Sequence, residues 1–253
     1  MSNSRRPTNP AARRPATPRG TQVIVAVVAV LCVVAIVVVG VAVGGGSDDS
    51  NASGSVSQEP LAPGECSDAP APPAAPKSYP AAPDPSLAED TTWVATLSTS
   101  CGDIEVELDG AKAPQTVASF LQLSEDGFYD DTPCHRLTTE GIFVLQCGDP
   151  TGSGSGGPGY GYGIENAPKD GSYPTGTLAM ARSNDPNSNG SQFFIVYKDT
   201  RLPVEGGGYT IFGRVTQGLD IVQSIADKGV GGGGGDGSPA QPISILSVSV
   251  EKA

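Results

Sequence analysis

From Val23 to Val43 the chain reads VIVAVVAVLCVVAIVVVGVAV, 21 residues without a charge. At about 1.5 Å per residue, a helix of that length spans the roughly 30 Å hydrocarbon core of a bilayer. The run has no polar face and is rich in β-branched residues, which speaks against a buried core helix. It is longer than the apolar core of a cleaved signal peptide, and no clear small-x-small cleavage site follows it. Cys32 does not make it a lipoprotein signal, because bulky Leu31 precedes it and eleven mostly apolar residues follow. A retained single-pass signal anchor at residues 22–43 is the reading that fits. Arg5, Arg6, Arg13, Arg14 and Arg19 lie before the span, whereas all 27 acidic residues lie after it. The basic tail, residues 1–21, is therefore expected in the cytoplasm and everything after the span outside it.

Residues 44–90 read as a spacer. GGGSDDSNASGSVS is flexible and polar, and the following Pro/Ala tract has polyproline-like stiffness. So few apolar side chains cannot offset the entropy of ordering such a segment, and disorder is expected. A ligand for a proline-binding module is the competing reading of the tract.

The remaining stretch, residues 91–253, is long enough to bury a core. TTWVATLSTS and DIEVELD flank Cys101-Gly102 as a hairpin, with Ile104, Val106 and Leu108 facing inward. Pro114 marks a helix start, and Val117, Phe120 and Leu121 share its apolar face as far as Gly127. Two short strands are predicted within 132–148, a long Gly-rich loop over 150–176, and further strands at Thr177–Ala181, Phe193–Val196 and Tyr209–Val215. A short helix carries Leu219, Val222, Ile225 and Ala226. Leu246, Val248 and Val250 alternate in a last strand. Many short strands with two helices make this an all-β barrel or sandwich.

Conventional catalytic signatures are missing. His135 is the only histidine and no GxSxG turn accompanies it. Gly152-x-Gly154-x-x-Gly157 is followed by Pro158 and Gly159, so no helix N-terminus is expected there for a dinucleotide. The glycine run 231–235 reads as a floppy surface loop. A net charge of −12 argues against nucleic acid as a partner. The cysteines and the histidine lack zinc-ligand spacing, so no metal is expected. Cys134 and Cys147 flank a strand–turn–strand segment and could be bonded across it, leaving Cys66 and Cys101 as a second pair. Four cysteines allow three pairings, and small buried thiols are the alternative.

Two segments stand out: Cys134-His135-Arg136 leading into Gly141-Ile-Phe-Val-Leu-Gln-Cys-Gly-Asp149, and Gly176-Thr-Leu-Ala-Met-Ala-Arg182 leading into Asn187-Ser-Asn-Gly-Ser-Gln-Phe-Phe-Ile195. They resemble the cyclophilin family of peptidyl-prolyl cis-trans isomerases, with its F-H-R, G-F-x-x-Q-G-G-D and M-A-N/R…N-G-S-Q-F-F segments, over about residues 92–250. The resemblance implies a closed eight-stranded antiparallel barrel capped by two helices, and isomerase activity without cofactor. It implies Arg136 as the catalytic guanidinium, with Gln146 and Gln192 holding it and the peptide backbone. By the same resemblance Phe143, Val144 and Phe194 wall the proline pocket, Ala181 and Ser183 line the adjoining subsite, Leu202 closes the pocket, and Tyr209 takes a place often held by histidine. There are departures. Two extra residues lie between Arg136 and Phe143, Val144 replaces a common methionine, and Arg182 replaces an asparagine.

The chain is thus expected to be a monomeric, membrane-anchored isomerase acting on proline-containing segments of secreted or envelope proteins. The anchor Val23–Val43 would contact the lipid bilayer. A proline-binding module with little turnover and a membrane-tethered structural protein are the alternatives. Neither explains why a cation should stand among the pocket residues.

Overall fold

A computed structural model describes residues 65–253. The basic tail, the expected anchor Val23–Val43 and the first part of the expected spacer lie outside the described residues. Among the described residues no helix is long and apolar enough to cross a membrane.

The elements in chain order are β1 (Thr92–Thr99), β2 (Gly102–Asp109), α1 (Pro114–Glu125), β3 (Thr132–Pro133), β4 (Arg136–Thr138), β5 (Val144–Cys147), β6 (Ser172–Tyr173), β7 (Thr177–Met180), β8 (Phe193–Val196), β9 (Thr200–Arg201), β10 (Ile211–Gln217), α2 (Leu219–Asp227), β11 (Asp236–Gly237) and β12 (Ser244–Lys252). Ten strands form one antiparallel sheet in the order β11-β4-β5-β8-β7-β10-β2-β1-β12-β3, and β6 pairs with β9 separately. Eight strands were expected, and two features raise the number. The β3–β4 segment changes partners midway: Pro133 pairs with Ser244 of β12, and Cys134 still donates its N–H to the Ile243 carbonyl, whereas Arg136 pairs with Gln146 of β5. The glycine run, expected to be floppy, instead leads into β11, which pairs with β4.

Strict alternation builds the core. Ile104, Val106 and Leu108 of β2 are buried, while Glu105 and Glu107 face outward and are met by Thr216, Gln217 and Arg214 of β10. The main core centres on Phe120 of α1, whose ring lies 5.2–5.8 Å from those of Tyr129, Phe193 and Phe212. No side chain of α1 itself caps its N-terminus. Instead Glu165, from the Gly-rich segment, accepts from the Gln115 and Thr116 amides (3.0 and 2.9 Å), satisfying N–H groups that the first turn leaves open.

The expected disorder of the spacer does not extend over its described part. Residues 65–84 lie on the domain as a strap. A disulfide joins Cys66 to Cys101. The Ser67 amide donates to the Ser100 carbonyl, and the Tyr79 amide to that of Pro158 (2.7 and 2.8 Å). The Tyr79 ring packs against Phe128 and Tyr160. Pro85–Ala88 then forms a one-turn 3-10 helix, capped by Asp84 and anchored by fully buried Ala88. One covalent link and two apolar anchors supply what a Pro/Ala composition lacks. The second disulfide joins Cys134 to Cys147.

Candidate active site

The site is laid out by strand register. Reading across one face of the sheet, Arg136 stands opposite Gln146, Gln146 opposite Phe194, Phe194 opposite Ala179, and Ala179 opposite Ile211. Successive residues of a strand point to opposite faces, so β8 contributes Phe193 and Ile195 to the main core. Phe194 and Val196 go to a second apolar cluster with Val144, Tyr173, Ala179 and Leu202, flanked by Ile142, Ala181, Tyr209 and Ile211. Above this second cluster opens a cleft of about 420 Å³, whose lining includes Arg136, Val144, Gln146, Ala181, Phe194, Leu202 and Tyr209. A neighbouring cleft of similar volume is lined by Gln192, Ser183, Ser188 and the glycines of residues 154–157.

A hydrogen-bonded chain crosses the floor between the two clefts. Arg136 Nη1 donates to Gln146 Oε1 (3.1 Å), Gln146 Nε2 to Gln192 Oε1 (2.9 Å), and Gln192 Nε2 to the carbonyls of Gly154 and Gly156 (3.1 and 2.8 Å). The direction of donation is thereby fixed along its length, from the guanidinium to the backbone of the Gly-rich segment. Ring–ring packing holds the apolar wall. Phe194 lies 5.8 Å from Tyr209 with the rings near perpendicular, and the Tyr173 hydroxyl donates to the Tyr209 carbonyl while accepting from its amide. Arg182 covers the far side of Tyr209, its guanidinium carbon 5.0 Å from the ring centroid, and donates to the Gly208 and Ser183 carbonyls.

Most of the residues singled out by resemblance converge here; Phe143 does not. Val144 and Gln146 face the cleft, so Phe143, one residue before Val144, turns to the other side. There it packs against Tyr197 at 6.1 Å with Lys198 over its ring, and Ile142 lines the cleft in its stead. The pairing of Arg136 with Gln146 and of Thr138 with Val144 sets this phase of β5. Ser183 lies in the neighbouring cleft only.

Sequence reasoning missed several contributors. Asp236 grips Arg136 from the end of the glycine run, accepting from Nε at 2.8 Å and from Nη2 at 2.7 Å. Ser153 and Gly154 form part of the cleft wall, in the stretch whose glycine spacing only mimicked a nucleotide motif. Asp149 shapes that stretch from beneath. Fully buried, it accepts from the Thr151 amide and hydroxyl (both 2.7 Å) and from the Gly156 amide (3.0 Å). Burial alone would raise its pKa, but these donors outweigh it and hold the carboxyl below its ordinary value. His135 also lines the cleft. Neither ring nitrogen has a partner among the described residues, and burial, opposed by the charge of Asp149, holds its pKa below the usual imidazole value. The only advance signal for Asp236 was its place directly after five glycines, and that signal carried no partner.

Chemically, the cleft offers a cation on a hydrogen-bonded mount beside an apolar hollow. Residues 94–250 match the family model described as cyclophilin type peptidyl-prolyl cis-trans isomerase/CLD. The probable peptidyl-prolyl cis-trans isomerase B of Mycobacterium tuberculosis is 43% identical over 169 residues, which are 62% of this chain and 54% of that one. The peptidyl-prolyl cis-trans isomerase cyp18 of Streptomyces antibioticus is 40% identical over 164 residues, 61% of this chain and 96% of that one. The chain therefore spans about half the length of its mycobacterial relative and nearly all of the shorter one. A crystal structure of a Cryptosporidium parvum cyclophilin type isomerase in the presence of the dipeptide Ala-Pro superposes with a TM-score of 0.53 at 32% identity, covering 63% of this chain and 99% of that one.

Proposed function

The chain belongs to the cyclophilin-type peptidyl-prolyl cis-trans isomerases, and from that premise we propose that it accelerates rotation about Xaa-Pro bonds in proteins outside the cytoplasm, assisting their folding. The barrier to that rotation, about 18–20 kcal/mol, comes from the partial double-bond character of the amide. No bond has to break, so neither nucleophile nor metal is needed. As the amide twists, conjugation is lost and the prolyl nitrogen becomes pyramidal and basic. The guanidinium of Arg136 then gains interaction that it does not have with the planar ground state, which is what lowers a barrier. Val144, Phe194, Leu202 and Tyr209 would grip the pyrrolidine ring, and Gln146 and Gln192 would hold Arg136 and the peptide backbone. Reaching millisecond turnover calls for roughly 6–8 kcal/mol, at about 1.4 kcal/mol per tenfold.

The observation that carries this reading is the mounting of Arg136. Its fork is held at the mouth of an apolar hollow by Gln146, and lysine could not reproduce that planar presentation. The same reading takes residues 22–43 as the anchor and residues 91–253 as a monomeric catalytic domain. It also takes the curled sheet as a closed barrel, whose seam is the step Cys134-His135 between β3 and β4.

The test is exchange NMR of an Ala-Pro peptide with the full chain and with Arg136→Ala. Acceleration that falls at least about tenfold in the variant is expected. A folded wild-type chain that binds the peptide without accelerating exchange would replace the isomerase with a proline-binding module.

A further inference from the structure

The grip on Arg136 from the glycine-rich end of the molecule has a geometry suited to one task. A guanidinium carries five N–H groups. Asp236 takes the Nε–H and one Nη2–H side-on, and Gln146 takes one Nη1–H. Two N–H groups, one on each terminal nitrogen, stay available for a peptide. Two neighbours on different strands thus fix the plane of the guanidinium. Gln146 alone, through a single hydrogen bond to a terminal nitrogen, would leave it free to pivot.

The chain leading to Asp236 is built to deliver it. Gly232, Gly233 and Gly234 all have positive φ (77°, 84° and 94°), backbone that other residues rarely adopt. The segment closes as a hairpin: Gly231 donates to the Ser238 carbonyl at 2.8 Å, and Val230 bridges to Pro239. Its tip is tied to β4, where Thr139 donates to the Gly235 carbonyl and Asp236 stands opposite Thr138. The Ser238 hydroxyl donates to the His135 carbonyl at 3.2 Å. The Arg136–Asp236 pair is itself part-exposed, with side chains 37% and 57% accessible, so it contributes little to holding the fold together. Orientation is what it supplies.

We infer that Asp236 is a positioning residue for the isomerisation: the glycine hairpin 229–240 carries its carboxylate to Arg136, setting the guanidinium in the plane from which its two remaining N–H groups meet the twisted amide. This rests on the reading of Arg136 as the catalytic cation. It assigns the five-glycine run a role in turnover.

The test uses the full chain in detergent micelles. Peptide exchange rates and peptide affinity are measured for wild type, Asp236→Ala, Asp236→Asn and Asp236→Glu, with amide spectra to verify the fold. Asp236→Ala should lower kcat about tenfold or more while KM changes by no more than about twofold, since the cation stays but loses its aim. Asp236→Glu should recover part of the rate. Asp236→Asn should recover less, because its amide offers one acceptor and turns an N–H toward another. Gly233→Ala keeps the carboxylate but strains the hairpin, and should reproduce the loss in kcat. A direct readout is the Arg136 Nε–H signal, identified by its absence in Arg136→Lys. Rotation about its Nε–Cζ bond should be slow in wild type and fast in Asp236→Ala. An Asp236→Ala chain that turns over as fast as wild type or faster overturns the inference, and if Arg136→Ala is slow in the same assay the reading of the site survives. A wild-type chain without activity overturns both, whatever the arginine signal does.

Discussion

Removing the Cys134–Cys147 bridge offers a quantitative test of how the site is held. The two cysteines are 13 residues apart and embrace the β4–β5 hairpin that carries both Arg136 and Gln146. Cross-linking a loop of that length removes chain entropy from the unfolded state worth about 3 kcal/mol at 25 °C. Both residues are nearly inaccessible, 5% and 1% exposed, so replacement by alanine leaves no unsatisfied polar atom. The loss should therefore stay near the entropic figure. For a domain of this size about 1 kcal/mol corresponds to roughly 2–4 °C, so Cys134→Ala/Cys147→Ala should lower Tm by about 6–12 °C. Because the bridge acts on the unfolded chain, the urea m value should rise as the midpoint falls. Below the transition the variant should still turn over, since the ladder pairing Arg136 with Gln146, not the sulfur bridge, sets their register. Calorimetry, urea titration and peptide exchange on the same preparation check all three. A Tm shift under about 2 °C would refute the loop-entropy reasoning. Reactive thiols at both positions in the untreated protein would refute the bridge itself.

Two further outcomes concern pH. Asp149→Asn should cost about 1–3 kcal/mol at neutral pH, because an amide cannot accept from all the donors of Thr151 and Gly156. Asp149 is held below its unfolded value, so its contribution is present above about pH 4 and lost as pH falls through the lower folded pKa; urea midpoints of variant and wild type should therefore differ at pH 7 and draw together as pH falls below that folded value. His135 is depressed too, but for a base the sign reverses: the unfolded chain takes up the proton first, so stability should fall as pH drops below about 6.5. His135 is the only histidine, so its ring signals titrate alone, and a midpoint at or above 6.5 would contradict the burial argument.

Local pattern carried a good deal of the fold. The hairpin across Cys101-Gly102, the helix opening at Pro114 and the alternation of the last strand follow from side-chain period and turn chemistry, which neighbouring residues set among themselves. Of the strap at 65–84 the cysteine count offered the tie from Cys66 to Cys101, but not the order of the tract, which comes from packing on Phe128 and Tyr160, far along the chain from the Pro/Ala tract itself.

The site divides in the same way. Arg136, Gln146, Gln192 and Phe194 could be named because the two segments that carry them resemble a known family's motifs, not because any local pattern singles them out. Ile142 and not Phe143 enters the cleft because the β4–β5 ladder points Val144 and Gln146 there and neighbouring residues alternate between faces. Asp236 lies a hundred residues from its arginine. Composition marked its surroundings as glycine-rich and therefore free, but three positive-φ glycines and a ladder to β4 turned that freedom into a specific hairpin. The sequence by itself determined which side chains alternate and which chemistry is present. Only the tertiary structure decided which carboxylate meets the cation, because that contact is made by long-range register and not by any local preference.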